Sequence, residues 1–359
     1  MSVVYWSVLL AMVVFGSTAD AFPKARIGRN GRIHLRPELV SVIVLALILM
    51  FVSGFRYQVG TDYMNYFRWS VGDWGDVFHD IFTFQEGGFS LLTKLSRLVW
   101  DHGQSLILFS AILTIGLYVF TICRNSPSFL LSMLFYLFLG QWQGGFNGIR
   151  QYLASAILFA GHRLILNKKL WKYLLVVLVA SSFHVSAIVM VIPFFLLNRK
   201  ADMTQLVLLA LGAIVIRISY DFIFSVIGSV KDKTMDLENA YLSTNVNIFR
   251  ILVAFVPVIL YLIQCRKDNL DREQNFYVNA LFFHAFSMLA GMGSAYFGRI
   301  GIYTGATVTI GYVHLFRLIE DERSRNITVY AVLVGLLFYW IYSVYAGGIS
   351  NFQWIFNNM

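Results

Sequence analysis

A histidine that interrupts an apolar run, an aspartate in a Gly-Thr-Asp turn and arginines at the ends of apolar runs are the side chains here with the means to do chemistry. His184 lies in SSFH, midway through the run 170–197, which is flanked by Asn-Lys-Lys on one side and Asn-Arg-Lys on the other. An imidazole in that place can take or give a proton near neutral pH. Arg56, Arg150, Arg217, Arg250 and Arg299 each stand at the mouth of a different apolar run. Arginine at lipid depth is costly and usually faces a cavity or a partner. Guanidinium groups converging from several helices suit a diphosphate, which they grip through paired N–H donors. For Arg217 and Arg250, snorkelling to the interface weighs more. For Arg150 and Arg299, set among small and polar neighbours, function does. Asp62, in VGTDYMNY, can accept a proton, join a divalent metal, or simply cap the turn after Gly60. Gly60 permits a tight approach there, and Tyr63 and Tyr66 offer rings on which a sugar could stack. His284 and His314 read as hydrogen-bond partners between helices.

These groups must be positioned by a bundle in a membrane. The chain of 359 residues is 58% hydrophobic and 13% charged, with mean hydropathy +0.67. That composition defines an all-α polytopic membrane protein, read as a single integral membrane domain over 1–359. The net charge of +9 is a matter of topology and not of nucleic-acid binding. Cys123 and Cys265 fall at predicted cytoplasmic helix ends, and no disulfide framework is expected.

Apolar runs at 3–19, 39–55, 104–123, 128–140, 152–166, 170–197, 203–218, 246–264, 276–292, 300–316 and 327–345 give about twelve crossings (range about 10–12), with 170–197 counted as two arms. Most of the 28 lysines and arginines then fall on the cytoplasmic side. The outer loops are about 56–103 and 220–245, and the first carries an amphipathic run at 89–100 suited to the interface. Both flanks of 170–197 are basic, so the chain turns back near 181–184. Each arm of about 14 residues makes roughly 20 Å of helix, against a hydrocarbon core of about 30 Å. The tip is therefore recessed, and a polar break is tolerated there only inside protein or a wet cavity. No HExxH, CxxC, GxSxG or GxxxxGK[ST] occurs, so zinc proteolysis, elbow serine hydrolysis and nucleotide-driven pumping lack their usual parts.

RYQVGTDYMNY (56–66), NGIRQYLASAI (147–157), ASSFHVSAIVM (180–190) and FGRIGIY (297–303) stand in the order found in the EpsG family. The chain resembles that family of Wzy-like polymerases of bacterial exopolysaccharide, capsule and O-antigen over nearly its whole length. The resemblance implies a GT-C-like helical bundle with an outward-facing cavity, in the bacterial inner membrane. There it would join undecaprenyl-diphosphate-linked oligosaccharide repeat units at the periplasmic face. It implies no cofactor and no metal. Its implied partners are the lipid-linked oligosaccharide, membrane lipid, a chain-length regulator and a flippase, with no nucleic acid.

Residue by residue, Arg150 with Gln151 matches the central motif, His184 the F-H-x-S motif, Asp62 the G-T-D motif and Arg299 the late arginine, with Tyr303 following. Departure of a carrier diphosphate needs positive charge, from Arg150 and Arg299 with Arg56. The attacking hydroxyl needs a base, His184 or Asp62. The extra first run with its basic loop departs from the family pattern. A lipid-carrier-dependent glycan ligase would use the same groups. A flippase or transporter of lipid-linked oligosaccharide would also show an arginine-lined cavity, but repeated halves, frequent in transporters, are not visible. An intramembrane acyltransferase would also want a histidine at membrane depth, though its donor would come from the cytoplasm or a lipid.

Overall fold

Several helix starts in this chain are set by side chains that satisfy the free amides of a first turn. The computed structural model describes residues 1–27, 33–71, 86–219, 247–265, 269–292 and 298–357. Ser2 opens α1 (Val3–Ala21). A short antiparallel hairpin, β1 (Lys24–Ile27) and β2 (Ile33–Arg36), occupies part of the basic loop, pairing Lys24 with Arg36. The Glu38 carboxylate then caps α2 (Leu39–Gly54) at the amides of Val40 and Ser41. Next come α3 (Tyr63–Val71), α4 (Gly87–Val99) and α5 (Gln104–Asn125).

Asp20, near the end of α1, caps α6 (Phe129–Phe138): its carboxylate accepts from the amides of Phe129 and Leu130 at 2.9 and 3.0 Å and from Ser128 Oγ at 2.7 Å. The first helix is thereby built into the bundle. The short α7 (Gln141–Gly144) leads into α8 (Ile149–Leu166).

Next comes the interrupted run. α9 (Leu170–Phe183) ends at His184, which is extended (φ −155°, ψ 117°), and the chain returns as a 3₁₀ segment, Val185–Val191, and a short α10 (Pro193–Leu196). Tyr173, near the start of α9, donates to the carbonyl of Met190 (2.7 Å) and stacks on Phe194, and Asn198 Nδ2 donates to Ile165 O (2.7 Å). The two arms are therefore antiparallel, with both bases at one level. The outgoing arm is α-helical; the return arm winds as 3₁₀ and restarts at Pro193, whose missing N–H is tolerated only in a first turn. The remaining helices are α11 (Met203–Ile218), α12 (Ile248–Leu260) running into a π-helical turn Tyr261–Cys265, α13 (Arg272–Ala290), α14 (Ile300–Phe316) and α15 (Glu322–Ala346).

One apolar core joins Tyr5 in α1 to Phe352 near the C-terminus, and a smaller one gathers Tyr63, Tyr66, Phe89, Leu106 and Leu153 at one end. The outside of the bundle is apolar too: Val14, Leu47, Leu175, Ile188, Leu211, Ile259 and Phe338 are all exposed. Polar contacts lie inside, as when His284 Nδ1 meets Thr304 Oγ1 at 2.8 Å and His162 Nε2 meets the Tyr277 hydroxyl at 3.0 Å. An apolar exterior around an internally bonded interior is how a helical protein meets lipid.

The expected count of about twelve spans is corrected. Among the described residues four helices are long and apolar enough to cross alone: Val3–Ala21, Gln104–Asn125, Ile248–Cys265 and Glu322–Ala346. Six further apolar helices are only 10–17 residues long. α8 and α13 have the length, but Arg150, His162 and Arg163 dilute one and Arg272, Glu273, Asn279 and His284 the other. The expected second outer loop, 220–245, and residues 72–85 of the first lie outside the described residues. Cys123 and Cys265 form no disulfide. His314 stacks on Tyr277 at 4.0 Å, where a hydrogen bond between helices was expected.

Candidate functional site

The tip of the interrupted hairpin meets the start of α4. Gly87 and Gly88 open that helix, and a Cβ on Gly88 would lie 2.3 Å from Ser182 Oγ. The Ser182 carbonyl oxygen would be 3.0 Å from it, so glycine is the residue that fits here without moving the hairpin tip. The contact delivers Glu86 to the tip, in the left-handed conformation (φ 59°, ψ 40°). A non-glycine residue held there carries strain of about 1–3 kcal/mol, which is characteristic of sites where a side chain must be aimed.

Glu86 bridges two groups. One carboxylate oxygen pairs with Arg150 Nη1, and the other accepts from His184 Nδ1 and, at 3.4 Å, from the amide of Val185. Burial pushes the Glu86 carboxyl up, but the His184 hydrogen bond, the charges of Arg150 and His184 and the Val185 N–H outweigh it and hold the group below its ordinary value of 4.5. In the tautomer protonated at Nδ1, which an ionised Glu86 favours, Nδ1 donates to the carboxylate. Nε2 then carries the lone pair, and it lies 2.8 Å from Gln151 Nε2, an N–H donor in this arrangement. This is the geometry of a carboxylate-oriented base.

Arg150, on the first turn of α8, also meets the Tyr66 hydroxyl and stacks on Trp69, its guanidinium carbon 4.8 Å from the ring centroid. The Arg150 side chain is 29% exposed, His184 16% and Glu86 12%, so the cluster is recessed but open. Ser186, on the return arm, shares a 2.7 Å hydrogen bond with the Tyr303 hydroxyl of α14. Arg299, half-buried at the start of α14, acts electrostatically on that same tyrosine.

The other expected site residues fall elsewhere. Arg56 is corrected from a diphosphate ligand to a clamp. It is 1% exposed, and its N–H groups serve the carbonyls of Ser53, Val59 (3.2 Å) and Phe146 (3.3 Å). Gly60, at φ +105°, gives its close approach to the protein itself: a Cβ would lie 2.7 Å from the Phe146 carbonyl oxygen and from Asn147 Oδ1. Tyr63 is fully buried with its hydroxyl on Gln104, and Tyr66 is 6% exposed, so neither ring offers a face for stacking. Burial pushes both phenols above their ordinary values.

Asp62 is half-buried, and its carboxylate makes no hydrogen bond among the described residues. The loop before it is fastened by the Thr61 amide, which donates to Asn147 Oδ1 at 2.7 Å. Arg217 lies exposed on the last turn of α11, and Arg250, on the first turn of α12, lines a separate cavity. Among the described residues no three His, Cys, Asp or Glu side chains converge as metal ligands do. Glu86 carries no motif in the sequence; the Gly-Gly pair that follows it allows a close approach but does not say to what.

A helical membrane bundle that recesses a carboxylate–histidine pair beside an arginine is laid out as a membrane enzyme. The sequence profile of the EpsG family matches residues 39–356, and the chain belongs to that family. Membership supports a role in assembling a polysaccharide and a glycosyltransferase-like activity. The match begins at α2, so α1 and the β-hairpin precede it. No curated protein and no solved structure matches the chain, so the expected GT-C-like likeness has no solved counterpart.

Proposed function

We propose that this protein is a polymerase that joins undecaprenyl-diphosphate-linked oligosaccharide repeat units at the periplasmic face of the bacterial inner membrane. One observation carries the reading: Glu86 orients His184 at the hairpin tip with Arg150 on the same carboxylate. The opposite end of the bundle holds Arg124, Lys168, Lys169, Lys200, Arg272 and Arg317, and positive residues favour the cytoplasm. The tip therefore faces outward.

In the reaction, the acceptor sugar hydroxyl displaces Gln151 from His184 Nε2 and gives its proton to that nitrogen as its oxygen bonds to the anomeric carbon of the donor. The bond from that carbon to the carrier diphosphate breaks, and the diphosphate leaves with the electron pair. Glu86 stabilises the imidazolium that forms. Arg150 and Arg299 supply charge where the diphosphate gains it, and Asp62, with its carboxylate available, holds the acceptor. The proton then leaves His184 for solvent, restoring the base.

The test is purified protein given synthetic diphosphate-linked repeat unit, with and without chelator. A ladder of products at both conditions is expected. Stopping after a single transfer to a different acceptor would indicate a ligase. Movement of unaltered substrate across a vesicle membrane without bond formation would indicate a flippase.

A further inference from the structure

Behind α7, on the side of α8 away from Glu86, lies a second cavity of about 150 Å³ walled by α7, α12, α13, α14 and α15. Among the described residues its polar lining is largely uncharged: Gln141, Gln143, Tyr152, Tyr312 and Tyr339, with Arg250 as the single arginine. Gln143 is the telling residue. It is 4% exposed, yet neither its amide oxygen nor its amide nitrogen has a hydrogen-bond partner among the described residues. The Tyr312 hydroxyl is buried and unpartnered in the same way. Each such group costs about 1–3 kcal/mol, and a fold keeps them together in one cavity where something else satisfies them.

We propose that this cavity is a carbohydrate subsite, in which Gln143 and the surrounding phenols bind one sugar ring of a lipid-linked saccharide. The inference rests on the polymerase reading and deepens it. A primary amide offers two donors and an acceptor, and each phenol can do either, which matches the alternating hydroxyls of a sugar. A phosphate would call for more than one cation. About 150 Å³ is enough for one six-membered ring. Asn147 lies on the rim of this cavity and also fastens the Thr61 loop, and Arg150 follows three residues later on α8. A saccharide seated here therefore lies one helix start away from the His184 cluster.

The test separates a binding amide from a structural one. Gln143→Leu keeps the shape and removes an unsatisfied polar group, so its melting temperature in detergent should equal or exceed the wild type. Its affinity for the lipid-linked repeat unit, extracted from host cells lacking active polymerase, should fall about tenfold or more, while bare undecaprenyl diphosphate binds as before. Binding is read by native mass spectrometry. A second variant, Val253→Phe, fills the cavity from α12 with Gln143 in place and should lose the same selectivity.

If wild type makes a ladder and prefers the sugar-bearing lipid, but both variants keep that preference, the cavity holds only water and the subsite is wrong. A lower melting temperature for Gln143→Leu with selectivity unchanged in Val253→Phe would make Gln143 structural, and would also overturn it. Should wild type itself show neither ladder nor preference, the polymerase reading fails first, and the subsite with it.

Discussion

Replacing Glu86 by Gln is the most informative single change. It keeps size and shape but removes the charge that serves Arg150 and His184 together. Hydrogen bonds to charged groups contribute about 1.5–3 kcal/mol each, so losing the charge on both costs the cluster about 3–6 kcal/mol of organisation. The neutral amide can also turn its NH₂ towards His184 Nδ1. The proton then moves to Nε2, the nitrogen that must be free to act as a base. A positioned base contributes about 10²–10⁴ in rate, equivalent to about 2.7–5.5 kcal/mol. Turnover of Glu86→Gln should therefore fall about 10²–10⁴-fold with lipid-linked substrate still bound.

Stability gives an independent reading of the same residue. Glu86 has its carboxyl held below 4.5, so its stabilisation is complete above about pH 4.5 and is lost as pH falls through the lower folded value. Melting temperatures of wild type and variant should differ near neutrality and converge in acid. The assay is single-turnover transfer in detergent, with melts across that pH range. Turnover within about threefold of wild type, or a melting difference that grows in acid, would refute the assignment.

Arg150→Ala and Arg299→Ala should abolish polymer in folded, monodisperse protein; Arg150→Lys should rescue only partly, because a point charge cannot both pair with Glu86 and lie over Trp69 as a planar fork does. Arg56→Met should lower the yield of folded protein and cost about 3 kcal/mol or more, since it leaves three buried carbonyls without a donor; a variant that melted normally but was inactive would return Arg56 to the substrate site. Cysteines placed at 168 and 200 should be protected from an impermeant reagent outside the cell while one at 186 is labelled; labelling at 200 would overturn the hairpin.

The hairpin was legible because two basic flanks and arms too short to cross leave the chain few places to break, and the break falls on His184. The amphipathic run was legible from its period: Leu91, Leu95 and Leu98 are exposed while Phe89, Leu92 and Ser96 are buried. Glu86 was not, because its meaning depends on a contact between residues 88 and 182 that no local pattern encodes. Arg56 was misread for a related reason. An arginine at a helix mouth looks the same whether it faces a ligand or three backbone carbonyls, and only tertiary packing decides. Tyr63 has a hydroxyl that chain order alone could not pair with Gln104. The span count failed because hydropathy registers apolar runs, and helices of 10–17 residues satisfy it without the length to cross alone.

The central claim is that His184, aimed by Glu86, takes the proton of the attacking hydroxyl, with Asp62 only holding the acceptor. Single-turnover transfer at saturating acceptor, measured side by side for His184→Gln and Asp62→Asn, tests it most directly. The account predicts a loss of about 10²-fold or more for His184→Gln with donor binding intact, and near-normal transfer by Asp62→Asn once acceptor saturates. Near-normal transfer by His184→Gln, with Asp62→Asn dead under the same conditions, would contradict it.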